Sequence, residues 1–139
     1  MQQLSLIIGT TMPKTVLTSP TGKAIGPYSL GIGAGDYVFL SGQIPLDGAT
    51  GKLAGESIET QTEQVFRNIR ALLENAGVTM EQVVKATVFM TDLKEFAAMN
   101  AIYEKNVAAP YPARSTIQVA GLPMGAKVEI EMLAWRGAK

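Results

Sequence analysis

The stretch KVEIEMLAW, residues 127–135, alternates between two kinds of side chain over its whole length. Successive side chains of a β-strand point to opposite faces, so a period of two indicates a strand with one buried face. Apolar side chains occupy every second position, at Val128, Ile130, Met132 and Ala134. The other set combines charged with bulky apolar side chains: Lys127, Glu129, Glu131, Leu133 and Trp135. This stretch therefore predicts a strand that covers a core with one face and carries a mixed surface on the other.

Three further runs are predicted to be strands of the same sheet. They are rich in β-branched or aromatic residues and are bounded by glycine or proline. They are YVFLSGQ (37–43), VVKATVFM (83–90) and RSTIQV (114–119). The segment 20–36, which precedes them, is rich in turn-forming residues.

Two segments have the apolar periodicity of helices. The first covers about residues 58–76, where Thr60 and Glu63 have the spacing of a capping box and a glycine follows the last residue. The second covers about residues 92–106, where Glu95 has the capping-box spacing from the first residue. Strands alternating with two helices predict an α+β domain, in which a mixed β-sheet has both helices packed on one face.

Composition excludes several kinds of chemistry. The 139 residues contain no cysteine and no histidine, which removes disulfides, thiol nucleophiles, imidazole bases and the usual zinc ligands. Lysine plus arginine equals aspartate plus glutamate at 12 each, and no block of like charge occurs. Such a balance predicts no nucleic acid and no membrane surface as a partner, so we expect a small molecule or another protein.

The length of the chain indicates one domain. We expect residues 1–12 to be a loose extension and residues 13–139 to form the domain. The N-terminal segment has only a short apolar stretch and no arginine, which fits neither a secretory signal nor a transit peptide. No apolar run approaches the roughly 20 residues needed to span a bilayer. The sequence therefore predicts a cytoplasmic protein.

Strict alternation assigns a set of polar residues to the sheet face that the helices leave free. This set contains Ser41, Gln43, Arg114, Thr116, Gln118 and Glu129. The residues assigned to the core include Val84, Ala86, Val88, Met90, Ile117 and Val119. A single β-bulge would invert part of this assignment, because it shifts the alternation by one residue.

Large apolar side chains are assigned to the same free face. They are Phe39, Phe89, Leu133 and Trp135. So much apolar surface on a free sheet face indicates burial against another subunit. We therefore expect a homo-oligomer whose interface contains Arg114 and either Glu129 or Glu131.

Five motifs resemble, in order and spacing, the RidA/YjgF family of reactive-intermediate deaminases. They are AIGPYSLG (24–31), LSGQIPLD (40–47), ATVFMTDLKEFAAMNAIYE (86–104), YPARSTIQVAGLP (111–123) and VEIEMLA (128–134). From this resemblance, we expect residues 13–139 to form a RidA-like domain. It implies a chorismate-mutase-like fold and a homotrimer with sites between subunits. It also implies hydrolysis of 2-imino or 2-enamino acids to 2-oxo acids and ammonia, with no cofactor and no metal.

The same resemblance implies a role for particular residues. The family's carboxylate-binding arginine, in its P-A-R-S motif, falls on Arg114, and its water-positioning glutamate, in the E-I-E motif, falls on Glu129. The implied substrate-binding residues are Tyr28, Ser41, Gly42, Asn100 and Thr116. Thr116 departs from the cysteine that many members carry at this position. Arginine suits the first role because its planar fork matches a carboxylate in bidentate fashion.

These residues also allow other interpretations. Without the motif, Arg114 is as well suited to an interface salt bridge with Glu129 or Glu131 as to ligand binding, and the motif favours ligand binding. Two further functions are an endoribonuclease or translation inhibitor and a non-catalytic protein that binds small carboxylates. The neutral charge and the lack of histidine argue against the ribonuclease.

Overall fold

The computed structural model describes residues 14–20 and 22–137, and the predicted N-terminal extension, residues 1–12, lies outside these ranges. One sheet contains β1 (Thr15–Leu17), β2 (Gly31–Ala34), β3 (Tyr37–Gln43), β6 (Val83–Met90), β7 (Ala113–Gln118) and β8 (Val128–Trp135). A small hairpin consists of β4 (Leu46–Asp47) and β5 (Lys52–Leu53). The helices are α1 (Ile58–Ala76) and α2 (Phe96–Asn106). Neither helix of this part of the chain is long and apolar enough to cross a membrane.

The strand order in the large sheet is β1-β2-β3-β8-β6-β7. The β6–β7 pair is parallel and every other pair is antiparallel. Parallel neighbours need a crossover connection, and α2 supplies it between β6 and β7. Side chains of both helices share one core with alternate residues of the central strands. The predicted α+β fold, a mixed sheet with two helices on one face, is confirmed.

The bounds of α1 agree with the prediction, but its cap does not. Ser57, not Thr60, is the N-cap residue, and its hydroxyl oxygen accepts a hydrogen bond from the Thr60 N–H at 3.1 Å. The predicted Thr60–Glu63 capping box is therefore wrong, because Thr60 already lies in the first turn. Gly77 ends the helix as predicted, in the left-handed conformation that glycine adopts without strain (φ 73°).

The second helical segment begins with a 3₁₀ turn, Leu93–Glu95, before α2. Asp92 caps this turn by accepting a hydrogen bond from the Lys94 N–H at 2.9 Å. The prediction that Glu95 completes a capping box with Asp92 is wrong. Its carboxylate instead pairs with the Lys127 ammonium group at 3.5 Å.

The alternation predicted for the last strand is confirmed, since Val128, Ile130, Met132 and Ala134 are all buried. In the neighbouring strands β3 and β6, two register shifts change the predicted alternation of side chains. A bulge has this effect because it moves the alternation by one residue. A shift between Leu40 and Gln43 turns Gln43 into the core, where it is 8% exposed. A shift between Val83 and Lys85 buries Val83 and exposes Val84.

The face assignment predicted for β7 is wrong along the whole strand. Arg114, Thr116 and Gln118 pair with Ala86, Val88 and Met90 of β6, which are buried in the core. Directly paired residues lie on the same face, so these three polar side chains lie on the helix face. Ile117 lies on the free face and is 44% exposed. The reason is the position of β7 at the sheet edge, where α2 and the 3₁₀ turn before it supply polar partners. Arg114 donates to the Asn100 side chain of α2 at 2.8 Å, and the Leu93 N–H of the turn donates to the Gln118 side chain at 2.8 Å.

Strand β2 lies in the segment 20–36, which is rich in turn-forming residues. Its sequence, GIGA, has Ile32 as its one β-branched residue and two glycines, so it is a weak strand signal, and close packing explains the glycines. A Cβ at Gly31 would come within 2.9 Å of the Leu17 side chain and within 3.1 Å of the Leu40 side chain. Glycine therefore allows β2 to pack tightly between β1 and β3.

The correction to the α1 cap leads to a stability prediction. Ser57→Ala should lower the free energy of unfolding by about 1 kcal/mol, because it removes the acceptor for the Thr60 N–H. The matched control is Glu63→Ala, which removes the other residue of the sequence-predicted box and should change the value by less than about 0.5 kcal/mol. Urea unfolding measures both. A larger loss for Glu63→Ala than for Ser57→Ala would contradict the assignment of the cap.

Candidate active site

Arg114 lies near the start of β7, on the helix face, and its side chain contacts α2. Its guanidinium carbon lies 4.5 Å from the centre of the Tyr103 ring and 5.5 Å from the centre of the Phe96 ring. One guanidinium N–H donates to the Asn100 side-chain oxygen at 2.8 Å. Arg114 also lines an open cavity of about 460 Å³, together with Asn100, Tyr103 and Tyr111. The sequence thus brings Asn100 to Arg114 as the resemblance implies.

Thr116 lies two residues beyond Arg114 on the same face of β7. Its hydroxyl oxygen is buried and has no hydrogen-bond partner among the described residues. A buried hydroxyl without a partner is costly, so such groups usually mark a place for a water or a ligand. Arg114, Asn100 and Thr116 together form what we call the arginine half-site.

Glu129 lies on the opposite face of the sheet, the face that the helices leave free. It pairs with Phe89 across the β6–β8 ladder. A cavity of about 330 Å³ lies beside it, lined also by Tyr28, Ser41 and Gly42. These four residues form what we call the glutamate half-site.

Two hydroxyl groups of the glutamate half-site differ in their hydrogen bonds. The Ser41 hydroxyl donates to the Ser29 carbonyl at 2.6 Å, so its proton is already used and its oxygen can serve a further partner only as an acceptor. Tyr28 is 47% exposed, and its hydroxyl oxygen accepts from the Ile25 N–H at 3.5 Å. Ser41 is therefore suited to accept a hydrogen bond from a ligand, and Tyr28 to close the cavity from the loop side.

The environment of Glu129 favours its protonated form. Burial raises the pKa of the Glu129 carboxyl above its usual value, and the nearby negative charge of Glu131 raises it further. A carboxylate with a raised pKa holds a proton more readily than an exposed glutamate does. Glu129 is thus better suited than an exposed glutamate to accept a proton and return it.

Gly42 permits the position of the Glu129 side chain. A Cβ at residue 42 would overlap a carboxylate oxygen of Glu129 and would lie 2.7 Å from its carboxyl carbon. No side chain can occupy this point while the carboxylate stays there. The structure therefore assigns Gly42 a packing role beside Glu129.

The structure does not bring all of the predicted site residues together within one chain. The prediction that Arg114, Thr116, Ser41 and Glu129 share one sheet face is wrong for the first two. Their strand has the opposite alternation, so the arginine half-site lies on the helix face. The residues form two groups on opposite faces of one sheet.

Two residues beside Arg114 are not among the site residues that the resemblance implies. Phe96 and Tyr103 contact the guanidinium with their rings. A signal for this was present, because Phe96, Asn100 and Tyr103 follow each other at i, i+4 and i+7 and so share one side of a helix. The sequence could not show which strand that side would meet.

The acidic residues do not gather into a metal site. Among residues 14–20 and 22–137, no group of three Asp or Glu side chains is close enough to hold an ion. The groups that can act chemically in the two half-sites are therefore a guanidinium, a carboxylate, hydroxyls and an amide.

Comparison with known proteins establishes the family. The family model described as Endoribonuclease L-PSP matches residues 18–136. Reactive Intermediate Deaminase A of Arabidopsis thaliana, chloroplastic by its name, is 46% identical over 131 residues, which cover 94% of this chain and 70% of that protein. The chain belongs to the RidA/YjgF family.

Other RidA/YjgF relatives support both the fold and the general activity. The 2-iminobutanoate/2-iminopropanoate deaminase of Salmonella typhimurium is 44% identical over 128 residues, covering 90% of this chain and 99% of that protein. The crystal structure of E. coli TdcF with bound serine matches with a TM-score of 0.83 at 36% identity, covering 88% of this chain and 99% of that one. Two of the three relatives are named as deaminases, which supports deamination of reactive intermediates as the general activity.

The close approach of Gly42 to Glu129 gives a testable prediction. Gly42→Ala should push the Glu129 side chain out of its partly buried position and so lower the pKa of Glu129 toward that of an exposed glutamate. NMR titration of the Glu129 side-chain carboxyl measures the shift. The matched control is Gly121→Ala, because a Cβ at residue 121 meets nothing within 4 Å. An unchanged Glu129 pKa in Gly42→Ala would show that the glycine does not determine where the carboxylate lies.

Proposed function

We propose that this protein hydrolyses reactive 2-imino and 2-enamino acids to 2-oxo acids and ammonia. The observation that carries the proposal is the state of Arg114. It faces an open cavity, and no carboxylate among residues 14–20 and 22–137 forms an ion pair with it. A guanidinium held in this way is suited to bind the carboxylate of a small acid through two charge-assisted hydrogen bonds.

The complete site, in this proposal, forms between two copies of the chain. Arg114 and Glu129 lie on opposite faces of one sheet, so one substrate can contact both only if they come from different subunits. The free face carries Tyr37, Phe39 and Trp135, each almost half exposed, which is typical of a surface that another subunit covers. We therefore retain the expected homotrimer, in which each cleft combines the arginine half-site of one subunit with the glutamate half-site of another.

The chemistry needs only one proton-transfer group and correct positioning. The ionised Glu129 carboxylate takes a proton from water as the water oxygen bonds to C2 of the protonated imine, and the π electrons of the C=N bond move to nitrogen. The resulting amino alcohol receives that proton on nitrogen, and the C2–N bond then breaks. Ammonia leaves, C2=O forms, and the hydroxyl proton passes to Glu129 or solvent. An enamino acid first takes a proton at C3 and so becomes the imine.

The two hydroxyls and the amide support the substrate in this scheme. Ser41, whose own proton is donated to Ser29, accepts a hydrogen bond from the N–H of the imine. Asn100 orients Arg114, while Thr116 offers its unpartnered oxygen to a water or to the substrate in the arginine half-site. Tyr28 covers the glutamate half-site from the loop that precedes β2.

The names of the relatives support a small aliphatic substrate. The Salmonella protein is named for 2-iminobutanoate and 2-iminopropanoate, and the E. coli structure contains serine, a small acid with an adjacent amino group. We propose 2-iminobutanoate and 2-iminopropanoate as substrates here. The cytoplasmic location expected from the sequence stays a prediction, because the Arabidopsis relative is named as chloroplastic.

Ribonuclease activity has weaker support, although the description of the family model names it. The chain has formal net charge +0. A protein that binds the RNA backbone usually presents a basic patch, and its affinity falls steeply with salt. The formal net charge of +0 and the single guanidinium of the arginine half-site favour a small acid as the ligand.

Two single variants test the roles of the half-sites. Arg114→Lys keeps the charge and removes the fork, so kcat/KM for ammonia release from 2-iminobutanoate should fall by roughly ten- to a hundredfold, equivalent to about 1.5–3 kcal/mol. Glu129→Gln should still bind 2-oxobutyrate but should lower kcat, because an amide is a poor base. Thermal melting and light scattering confirm that each variant folds and assembles.

Mixing the two variants tests whether the halves come from different subunits. Neither variant alone has a complete site. Trimers reassembled from equal amounts should contain an intact Arg114 facing an intact Glu129 in about a quarter of the clefts, so activity should recover to about a quarter of the native value. No recovery in mixed trimers would contradict an intersubunit site. As the control for reassembly, the mixture should have the melting temperature and the molecular mass of the native protein.

The raised pKa of Glu129 predicts the pH dependence. Because the base must be ionised, kcat/KM should fall as the pH drops through the pKa of Glu129, at a pH above the value of about 4.3 for an ordinary glutamate. Glu131→Gln removes a neighbouring negative charge, lowers the pKa of Glu129, and should move this acid limb to lower pH. Ammonia release, corrected for spontaneous hydrolysis at each pH, gives the profiles. If the acid limb of kcat/KM stays at the same pH in Glu131→Gln, a group other than Glu129 is responsible for it.

A further inference from the structure

Three residues of α2 surround the guanidinium of Arg114. We propose that Phe96, Asn100 and Tyr103 are positioning residues that hold Arg114 in its carboxylate-binding orientation, with the face of the Tyr103 ring as the main contact. The inference rests on the proposed function for the identity of the ligand.

The two aromatic residues of α2 are far enough apart for the guanidinium to contact both rings. Residues that are seven positions apart lie about 10.5 Å apart along a helix axis. The guanidinium carbon of Arg114 lies 4.5 Å from the centre of the Tyr103 ring and 5.5 Å from the centre of the Phe96 ring. A cation over an aromatic face is attracted by the ring quadrupole, and the attraction is stronger where water is excluded. Tyr103 provides the shorter contact and is only 6% exposed, whereas Phe96 is 36% exposed. Tyr103 should therefore contribute more than Phe96.

Asn100 lies between the two rings along the helix and determines how the guanidinium is turned. Its side-chain oxygen accepts one N–H at 2.8 Å. Arginine has five N–H donors in a fixed fork, so using one of them sets the direction of the others. The remaining donors are available to a carboxylate in the cavity.

The Tyr103 ring is itself held firmly. It makes an edge-to-face contact with Phe66 of α1, with ring centres 5.7 Å apart and planes at 74°. Its buried hydroxyl makes no hydrogen bond of ordinary geometry with a described residue. Burial raises the pKa of this hydroxyl, and the nearby Arg114 guanidinium opposes the rise, so the hydroxyl also lies close to the cation. We assign the main hold on Arg114 to the ring face, and Tyr103→Phe tests what the hydroxyl adds.

The test compares two substitutions of the same residue. Tyr103→Leu keeps apolar bulk and removes the ring, and it should raise KM for 2-iminobutanoate by roughly three- to thirtyfold with little change in kcat, since it weakens ground-state and transition-state binding alike. Tyr103→Phe keeps the ring and removes only the hydroxyl, and its KM should stay within about twofold of the native value. The dissociation constant for 2-oxobutyrate, measured by calorimetry, should follow KM in both variants. A larger KM for Tyr103→Phe than for Tyr103→Leu would overturn the role of the ring face.

The control is Val38→Ala, which removes buried apolar groups from β3, a strand that β8 and β6 separate from β7. It should lower the melting temperature, as Tyr103→Leu does, but leave KM near the native value. An equal rise in KM for Val38→Ala would show that general core packing, not the Tyr103 contact, controls binding.

A readout without substrate separates this inference from the proposed function. The chain has four arginines, so the Arg114 Nε–H signal can be assigned by its loss in Arg114→Lys. Tyr103→Leu should remove its ring-current shift and speed rotation of the guanidinium, whereas Tyr103→Phe should preserve both. If the native protein neither releases ammonia nor binds 2-oxobutyrate, the proposed function fails, and the NMR result still decides whether Tyr103 holds Arg114. Unchanged Arg114 signals in Tyr103→Leu would overturn the inference.

Discussion

The pairing of β8 with β3 on one side and β6 on the other is the constraint on which the site depends. Alternate residues of β8 must lie in the core, because both neighbouring strands present buried side chains there. Because Glu129 lies between the buried residues Val128 and Ile130, its side chain must lie on the face that the helices leave free. The parallel pairing of β7 with β6 fixes Arg114 in the same way, but on the other side. One sheet therefore separates the two groups that the proposed chemistry has to bring to a single substrate.

The separation has an electrostatic consequence for each half. On one face of the sheet, a neighbouring guanidinium and carboxylate would pair, and the pair would occupy Arg114 and lower the pKa of Glu129. Within this chain, burial and the negative charge of Glu131 instead raise the pKa of Glu129. Aromatic faces and an amide surround Arg114, and they stabilise its charge without neutralising it. The sheet thus prevents the two groups from pairing within one chain, and they meet only in the proposed cleft between subunits.

Prediction from the sequence was accurate where one rule decides the outcome. The buried alternation of β8 and the bounds of α1 follow from hydrophobic periodicity over long segments. It failed where two rules compete. At β7, an edge strand, the apolar Ile117 was assigned to the core, yet the ladder with β6 exposes it. Register shifts near Gln43 and Val83 reverse the alternation of side chains locally, and no residue pattern in the sequence predicts these shifts.

Motifs were the source of the predicted site residues, but they did not determine how these residues are arranged. A motif names residue types in order, whereas the face on which each one lies depends on pairing between distant strands. The parallel β6–β7 pair requires a crossover, and the chain uses α2 for it. That helix must return over the helix face of the sheet, which brings Phe96, Asn100 and Tyr103 to Arg114 near the start of β7. The connection that the topology demands is therefore also the element that holds the arginine, and this explains why polar and charged side chains are tolerated on a face that elsewhere is buried core.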